Sequence, residues 1–200
     1  MSRLPTVASD ALDQPLRDKL SMVEEKMGFV PNSLAALANR PDILDPFLTF
    51  AATVMGRPGE PLYEIKALCA YVSSTASGCR YCQAHTASTA SRAGISPEKI
   101  EHAFEFETCG LFTDAERAAL NVAARAGMAP NAVEDDDFVR LREHYSDADC
   151  TTIMAMIGLF GLLNRWNDSL ATQLEPEPLA VAPQLLQRSG WTPGKHGGTK

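Results

Sequence analysis

Two cysteines and a histidine fall within seven residues of the segment 78–87, which reads "GCRYCQAHTA". Cys79 and Cys82 are three positions apart, and His85 follows three positions later. On an α-helix this spacing places the three side chains on one face. Neighbouring thiols can cycle between dithiol and disulfide with little backbone movement, and histidine exchanges protons near neutral pH. The segment therefore predicts thiol redox chemistry assisted by proton transfer.

The residue before the motif sets the surroundings of its first thiol. We expect Gly78 to end one helix, so that Cys79 begins the next. Backbone N–H groups at a helix N-terminus are unpaired and the helix dipole is positive there, so a thiolate is stabilised. This argument predicts Cys79 as the more acidic thiol. His85 is then a candidate to take a proton from a thiol, directly or through a water.

Other uses of paired cysteines fit the sequence less well. A closed zinc site that used the two cysteines and His85 would need a fourth ligand, and no second Cys/His pair stands at finger-like spacing. Covalent haem attachment needs a histidine directly after the second cysteine, where this chain has Gln83. A thioredoxin-like site needs a strand and helix pattern that the sequence lacks. We therefore favour redox chemistry without a metal, flavin or haem cofactor.

The charge and the distribution of apolar residues exclude several other classes of function. The net charge of −7 and the lack of a Lys/Arg run argue against a nucleic-acid partner. No apolar stretch reaches the roughly 18 residues of a membrane span, and "MSRLPTVASD" does not have the layout of a signal peptide. We therefore expect a cytoplasmic protein, in which the five cysteines do not form a disulfide scaffold.

Helix signals recur along the chain, whereas no segment alternates as a strand does. Helices are predicted at 11–27, from 32 or 33, from 41 to about 54, from 60 to about 77, from 79 to 93, from 96, from 113 to 126, at 134–144 and at 147–170. Thr113 and Glu116 have the spacing of a capping box. From Glu175 the composition changes to Pro, Gly, Gln and Lys. We expect one all-α domain at 1–174 and a C-terminal tail at 175–200 that is disordered or wraps a partner subunit.

The region around the motif resembles a known family. The segment "LYEIKALCAYVSSTASGCRYCQAHTASTASRAGI" is similar to the core of the carboxymuconolactone decarboxylase superfamily, on its alkyl hydroperoxidase D-like, peroxidase-related branch. The order Cys-x-Tyr-Cys-x-x-His after a helix that ends in glycine is a specific feature. The segments "FTDAERAAL" and "LFGLLNRWNDSLAT" resemble later parts of peroxidase-related members, so the similarity spans roughly residues 20–175.

This resemblance implies a compact helical bundle that assembles as a homo-oligomer and reduces peroxides. In the redox members of the family, the second motif cysteine attacks the peroxide and becomes a sulfenic acid, and the first resolves it and donates a proton. These roles fall on Cys82 and Cys79. The implied partners are a hydroperoxide substrate and an external dithiol reductant, and the implied activity is that of an antioxidant peroxidase. The helix-dipole argument and the resemblance thus favour different sulfurs as the activated one.

One departure from the family pattern concerns the carboxylate of the proton relay. Redox relatives place a glutamate twelve residues before the first cysteine, where this chain has Ala67, and Glu64 lies one turn earlier. A straight helix would hold Glu64 about 22 Å from Cys79. Any contact between them requires the chain to reverse near Gly78. We take Glu64 as the candidate relay carboxylate and expect it to be the carboxylate nearest to the site.

A second departure concerns the relay histidine. Alkyl hydroperoxidase D itself carries that histidine four residues after the second cysteine, where this chain has Thr86. His85 is one residue earlier, at a position where peroxidase-related members also carry histidine. Tyr81 and Ser74 are candidates to orient a water or to hydrogen-bond the relay, as is Ser73, although all three can also serve packing.

Two alternatives to peroxide reduction remain open. A lactone decarboxylase or related non-redox enzyme would have no evident need for two neighbouring thiols. A non-enzymatic helical oligomer whose cysteines sense oxidants is favoured if alanine at position 67 disables the relay. Peroxide-dependent consumption of a dithiol reductant separates these alternatives from a thiol peroxidase.

Overall fold

The structure, a computed structural model, describes residues 1–198, and this part of the chain is built from helices without a strand. Helices account for 67% of the residues. The α-helices are α1 (Gln14–Met27), α2 (Asn32–Leu37), α3 (Pro41–Met55), α4 (Tyr63–Ala76), α5 (Arg80–Arg92), α6 (Pro97–Glu101), α7 (Asp114–Gly127), α8 (Asp135–Arg142), α9 (Asp147–Leu170) and α10 (Pro176–Leu185). The predicted all-α fold is confirmed, and α1 to α9 lie close to their predicted positions.

Helix α4 lies at the centre of the main core. It packs against α5, α7 and α9, and its residues 65–74 are all buried. A helix that is apolar or small-sided around most of its circumference must be covered on several faces. The predicted capping box fixes the start of α7 against it: the Thr113 hydroxyl accepts the N–H of Glu116, and the Glu116 carboxylate accepts the N–H of Thr113.

Gly78 separates α4 from α5, as the sequence predicts. Its φ of +75° lies in the left-handed region, which side chains with a Cβ rarely adopt. A Cβ at this position would meet no atom within 4 Å, so the requirement for glycine comes from backbone conformation and not from space. This turn lets the N-terminus of α5 face back toward the core.

A second, smaller apolar cluster joins the N-terminal helices. Leucines on α1, α2 and α3 pack together there, with Leu20 and Leu44 fully buried. Helix α3 also contacts α9, which attaches this cluster to the main core. None of the helices within residues 1–198 combines the length and the apolar character needed to cross a bilayer.

The segment that we set apart as a C-terminal tail packs onto the other helices. Helix α10 lies against α5, and beyond it Trp191 and His196 are buried. The Trp191 indole N–H donates to the carbonyl of Arg80 at 3.2 Å. Helix α10 was not predicted because it contains three prolines. Pro176 is compatible with the helix because it lies in the first turn, where a backbone N–H has no partner within the helix. Residues 199 and 200, the end of the predicted tail, lie outside the described residues.

Candidate redox site

Cys79 is the N-cap residue of α5, immediately after the Gly78 turn. Its sulfur is fully buried and accepts the backbone N–H of Cys82 at 3.4 Å. The pKa of the Cys79 thiol is lowered, first by the hydrogen bond from the Cys82 thiol and then, against the opposing effect of burial, by backbone N–H groups. The lowered pKa of Cys79 has the direction that the helix-terminus argument predicts, but its largest cause is the hydrogen bond from the Cys82 thiol, and the backbone N–H groups of the helix terminus contribute less.

Cys82 lies one turn further along α5 and is almost fully buried. Burial raises the pKa of its thiol well above the ordinary value, and the neighbouring Cys79 raises it further. The side-chain amide of Asn167, on α9, donates to the Cys82 sulfur at 3.5 Å and opposes that rise. The pair thus favours the state in which Cys79 is the thiolate and Cys82 holds the shared proton.

His85 pairs with the carboxylate of Glu175, the N-cap residue of α10. Its Nε2 lies 2.7 Å from Oε2 of Glu175, and both side chains are buried. The other oxygen, Oε1, accepts the hydroxyl of Tyr81 at 2.8 Å and the backbone N–H of Asn32. Burial alone would raise the pKa of Glu175, but the hydrogen bond and charge of His85, together with these donors, bring it below its ordinary value.

Aromatic contacts fix the orientation of the His85 ring. Tyr81 stacks on it with ring centroids 4.3 Å apart, and Phe29 meets it edge-on at 5.8 Å. Burial, followed by the charge of Glu175, raises the pKa of the Tyr81 phenol well above its ordinary value. Tyr81 is therefore a neutral hydroxyl that donates to the carboxylate of Glu175, and its role in orienting a water stays a prediction.

The structure does not bring Glu64 to this site. Glu64 is exposed in the first turn of α4, and it lines a shallow surface pocket of about 390 Å³ with residues such as Tyr63 and Ala93. The thiols follow the opposite end of α4, so the length of that helix separates Glu64 from them. The prediction that Glu64 is the nearest carboxylate is wrong, since Glu175 contacts His85.

The two serines considered for the relay differ in their contacts. Ser73 donates to the carbonyl of Ala70, within its own helix, at 3.1 Å. The Ser74 hydroxyl is buried and has no hydrogen-bond partner among the described residues. The same holds for the side-chain amide of Asn164 and for Oδ1 of Asn167 on α9. Unpaired buried polar atoms of this kind are costly unless a water or ligand satisfies them.

A second histidine and a carboxylate approach Cys79 from another side. The Cys79 sulfur, a carboxylate oxygen of Asp168 and a ring nitrogen of His196 all lie within 4.8 Å of one another. These are donor types that can bind a metal ion. However, Asp168 already pairs with the ammonium of Lys195 at 2.9 Å, which places a positive charge at this group.

Four residues that lie beside the motif side chains were not identified in the sequence: Asn167, Asp168, Glu175 and His196. Asn167 and Asp168 stand inside "LFGLLNRWNDSLAT", which the family resemblance included, so their segment was recognised but their roles were not. Glu175 and His196 belong to the segment that was expected to be a tail. Its composition gave no signal that it packs against α5.

The site has the groups needed for a two-electron thiol reaction. All five cysteines are free in the structure, so Cys79 and Cys82 are present as a dithiol. Beside them lie a histidine–carboxylate pair and an amide donor to sulfur. Cys69 and Cys150 are buried elsewhere in the core, and Cys109 is partly buried.

Comparison with known proteins supplies a family context for this geometry. The model of the carboxymuconolactone decarboxylase family matches residues 41–125, which include both cysteines and His85. The uncharacterized protein YnjA of Escherichia coli K12 is 30% identical over 92 residues, or 46% of this chain. The chain spans about half the length of this curated relative.

Solved structures match over nearly the whole chain. The debrominase Bmp8, both as the apo protein and as a cysteine-to-alanine variant in complex with 2,3,4-tribromopyrrole, has a TM-score of 0.81 and 31% identity. For the complex, the match covers 92% of this chain and 96% of that one. A peroxidase-related protein from Ralstonia eutropha JMP134 with an alkylhydroperoxidase core has a TM-score of 0.78 and 27% identity, over 94% and 96% of the two chains.

Proposed function

The chain belongs to the carboxymuconolactone decarboxylase superfamily, on its alkyl hydroperoxidase D-like branch, and we propose on this basis that it is a cysteine-based peroxidase. The observation that carries the proposal is the contact between the two motif cysteines at the start of α5, with the Cys82 N–H on the Cys79 sulfur. A pair held this way can form a disulfide without movement of the helices.

In the first step, the Cys82 sulfur attacks one peroxide oxygen. The thiolate of Cys79 accepts the Cys82 proton, the O–O bond breaks, and Cys82 becomes a sulfenic acid. The departing alkoxide takes up a proton and leaves as an alcohol. The pair of His85 and Glu175, one turn along α5 from Cys82, is the proposed donor of that proton.

In the second step, the Cys79 sulfur attacks the sulfenic sulfur. The S–O bond breaks, a disulfide forms, and the hydroxyl leaves as water. An external dithiol then reduces the disulfide by thiol exchange, which returns the enzyme to its starting state. One hydroperoxide and one dithiol are consumed in each cycle, and one alcohol and one water are produced.

A thiol titration combined with mass spectrometry tests this proposal directly. After one equivalent of a hydroperoxide, we expect two of the five free thiols to disappear, with a mass loss of two hydrogen atoms. The matched control is Cys109→Ser, which removes a partly exposed thiol outside the site and should leave that loss unchanged. If the peroxide consumes no thiol, or consumes Cys109 first, the peroxidase proposal is wrong.

Reductive dehalogenation is a second candidate, because the likeness to the debrominase Bmp8 is at least as extensive as that to the peroxidase-related protein. Here the Cys82 sulfur would attack bromine, and the C–Br electrons would stay on carbon, which takes up a proton. Cys79 would then attack the S–Br sulfur, forming the disulfide and releasing bromide.

The two candidates consume the same reductant but release different products. Purified protein would be given a dithiol and either a hydroperoxide or 2,3,4-tribromopyrrole, and thiol oxidation and bromide release would be followed together. Faster thiol oxidation with hydroperoxide supports the peroxidase. Stoichiometric bromide release, with little response to hydroperoxide, would replace it by the dehalogenase.

A further inference from the structure

His196 is fully buried next to the redox pair, yet one of its ring nitrogens has no hydrogen-bond partner. Its Nδ1 lies 2.7 Å from the carbonyl oxygen of Thr172. Its Nε2 is unpaired among the described residues and lies 3.6 Å from Oδ1 of Asp168, and a ring nitrogen of His196 lies within 4.8 Å of the Cys79 sulfur. A buried ring nitrogen without a partner calls for a functional explanation.

The contacts of His196 determine which nitrogen carries the proton. A carbonyl oxygen can only accept, so Nδ1 must be the N–H donor to Thr172. Burial lowers the pKa of His196, which favours the neutral ring. In that tautomer Nε2 has a free lone pair on the side of Asp168, whose carboxylate belongs to the same cluster as the Cys79 sulfur. The ring therefore presents a proton acceptor to the site.

The backbone around His196 is anchored, so this placement is a fixed part of the fold. The His196 carbonyl accepts the N–H of Leu174 at 2.9 Å, and the Lys195 carbonyl accepts the side-chain amide of Gln173 at 2.9 Å. Lys195 also pairs with Asp168 at the end of α9. These contacts hold the C-terminal segment against the loop that follows α9.

We propose that His196 takes the proton from the Cys79 thiol when Cys79 attacks the sulfenic acid on Cys82. This inference rests on the proposed peroxidase function. After the first step Cys79 carries the proton received from Cys82, and a thiol must lose its proton to become a nucleophile. The unpaired Nε2 is the acceptor placed for that transfer, because His85 is already engaged with Glu175.

Atoms and charges balance in the proposed step. The S–H bond of Cys79 breaks as its proton moves to Nε2, the S–S bond forms, and the S–O bond of the sulfenic acid breaks. The departing hydroxide takes the proton from the His196 imidazolium and leaves as water, which returns His196 to its neutral form. No oxidant beyond the peroxide consumed earlier is needed.

The charges that face His196 favour transient protonation over metal binding. The carboxylate of Asp168 lies on the side of Nε2 and stabilises an imidazolium there. Lys195 opposes this, but its ammonium is paired with the other oxygen of the same carboxylate. The ring of Tyr81, centred 6.0 Å away, is neutral. A divalent cation in this group would have to sit beside the lysine charge.

The variant His196→Gln tests the proposal in the full-length protein. After rapid mixing with a hydroperoxide, we expect the Cys82 sulfenic acid to form at the wild-type rate and to persist, trapped as a dimedone adduct. Disulfide formation should slow by on the order of 10²-fold. The matched control, His144→Gln, alters an exposed histidine and should leave both steps unchanged.

A second measurement needs no peroxide and separates this inference from the proposed function. In a Cys82→Ser background, the rate of Cys79 alkylation by iodoacetamide would be followed against pH. His196→Gln should move the inflection to higher pH, whereas Asp168→Asn, at a half-exposed position, removes a negative charge that raises the pKa of Cys79 and should move the inflection to lower pH. Thermal melts establish that each variant is folded.

These measurements distinguish failure of the peroxidase function from failure of the role proposed for His196. If wild-type protein ignores peroxide but the alkylation profile shifts, the peroxidase function fails while His196 remains the proton acceptor of Cys79. If neither disulfide formation nor the alkylation profile changes in folded His196→Gln, the inference is overturned. Stoichiometric zinc binding that disappears in this variant, with an unchanged alkylation profile, would overturn it in favour of a metal site.

Discussion

Glu175 and His85 are 90 positions apart in sequence, yet a carboxylate oxygen of one lies 2.7 Å from Nε2 of the other. Both side chains are buried, and the carboxylate also receives the hydroxyl of Tyr81. Breaking a buried pair leaves one member uncompensated, which typically costs several kcal/mol. This contact therefore serves the stability of the fold as well as the proposed proton transfer.

Glu175→Ala should lower the free energy of unfolding by about 3 kcal/mol, because it leaves His85 and Tyr81 without their buried acceptor. Glu64→Ala should change it by less than about 0.5 kcal/mol, since Glu64 is exposed. Urea denaturation of the two variants checks the contrast. Equal effects would mean that the contact with His85 contributes nothing to stability.

Substitutions of Glu175 and Glu64 also distinguish two proton relays. The proposed relay uses Glu175, and the relay expected from the sequence used Glu64. Glu175→Gln should slow peroxide-dependent thiol oxidation by about 10²-fold, since a neutral amide replaces the carboxylate that pairs with Nε2 of His85 in the proposed relay. Glu64→Gln should have wild-type activity. Steady-state kinetics with a hydroperoxide provide the measurement, and a larger loss in Glu64→Gln would restore the original assignment.

The two single cysteine variants distinguish which sulfur attacks. Cys79→Ser should trap a sulfenic acid on Cys82 after one peroxide, detected as one added oxygen or a dimedone adduct. Cys82→Ser should show no such adduct. If the adduct appears instead on Cys79 in Cys82→Ser, the more acidic thiol is the nucleophile and the family roles do not transfer. If both variants turn over at the full rate, the motif is structural.

Stability should fall as the pH drops below about 6.5, the ordinary pKa of histidine. The pKa of His196 is lowered in the folded state, so below that pH the unfolded chain binds a proton that the folded chain resists, and unfolding becomes easier. The stability that neutral His196 contributes is complete above the pKa that this histidine has in the unfolded chain, and it is lost as the pH falls below that value. Urea denaturation from pH 8 to pH 5 should show a smaller decline in His196→Asn than in wild type.

Self-association remains a prediction, and it can be tested by a substitution on the exposed face of α9. Leu162 is 52% exposed on this helix, and Gly158, one turn earlier, faces open space. Apolar exposure on one helix face fits a contact between copies of the chain. We expect a sedimentation mass that is a multiple of 21.6 kDa, reduced by Leu162→Glu but not by Val139→Glu, which alters an exposed valine on α8. A wild-type monomer at micromolar concentration would contradict this.

Local signals in the sequence predicted most of the fold. The Thr113 capping box and the glycine at position 78 act within a few residues, so the helices that they delimit could be read directly. The acidity of Cys79 was predictable for the same reason, because an N-cap is a local feature. Helix α10 was missed because its prolines resemble those of an unstructured tail until Pro176 is recognised as a first-turn residue.

The partners of the thiols could not be predicted in the same way. Glu175 reaches His85 only after α9 and the turn beyond it have brought the chain back to α5. His196 reaches Cys79 through a further reversal after α10. Such long-range approaches depend on how helices pack, and spacing within one segment does not encode them. In the sequence, Glu64 was favoured as the relay carboxylate because it lies one turn from Ala67, where relatives carry a glutamate. In the structure, the length of α4 separates Glu64 from the thiols.

The return of the C-terminal segment to α5 has a consequence for synthesis. Both cysteines leave the ribosome about a hundred residues before Glu175 and His196 do. A nascent chain that stops before residue 175 already contains the family-matched region and both thiols, but it lacks their carboxylate and histidine partners. The groups within residues 167–196 that contact or approach Cys79, Cys82 and His85 are therefore in place only after this segment has docked against α5.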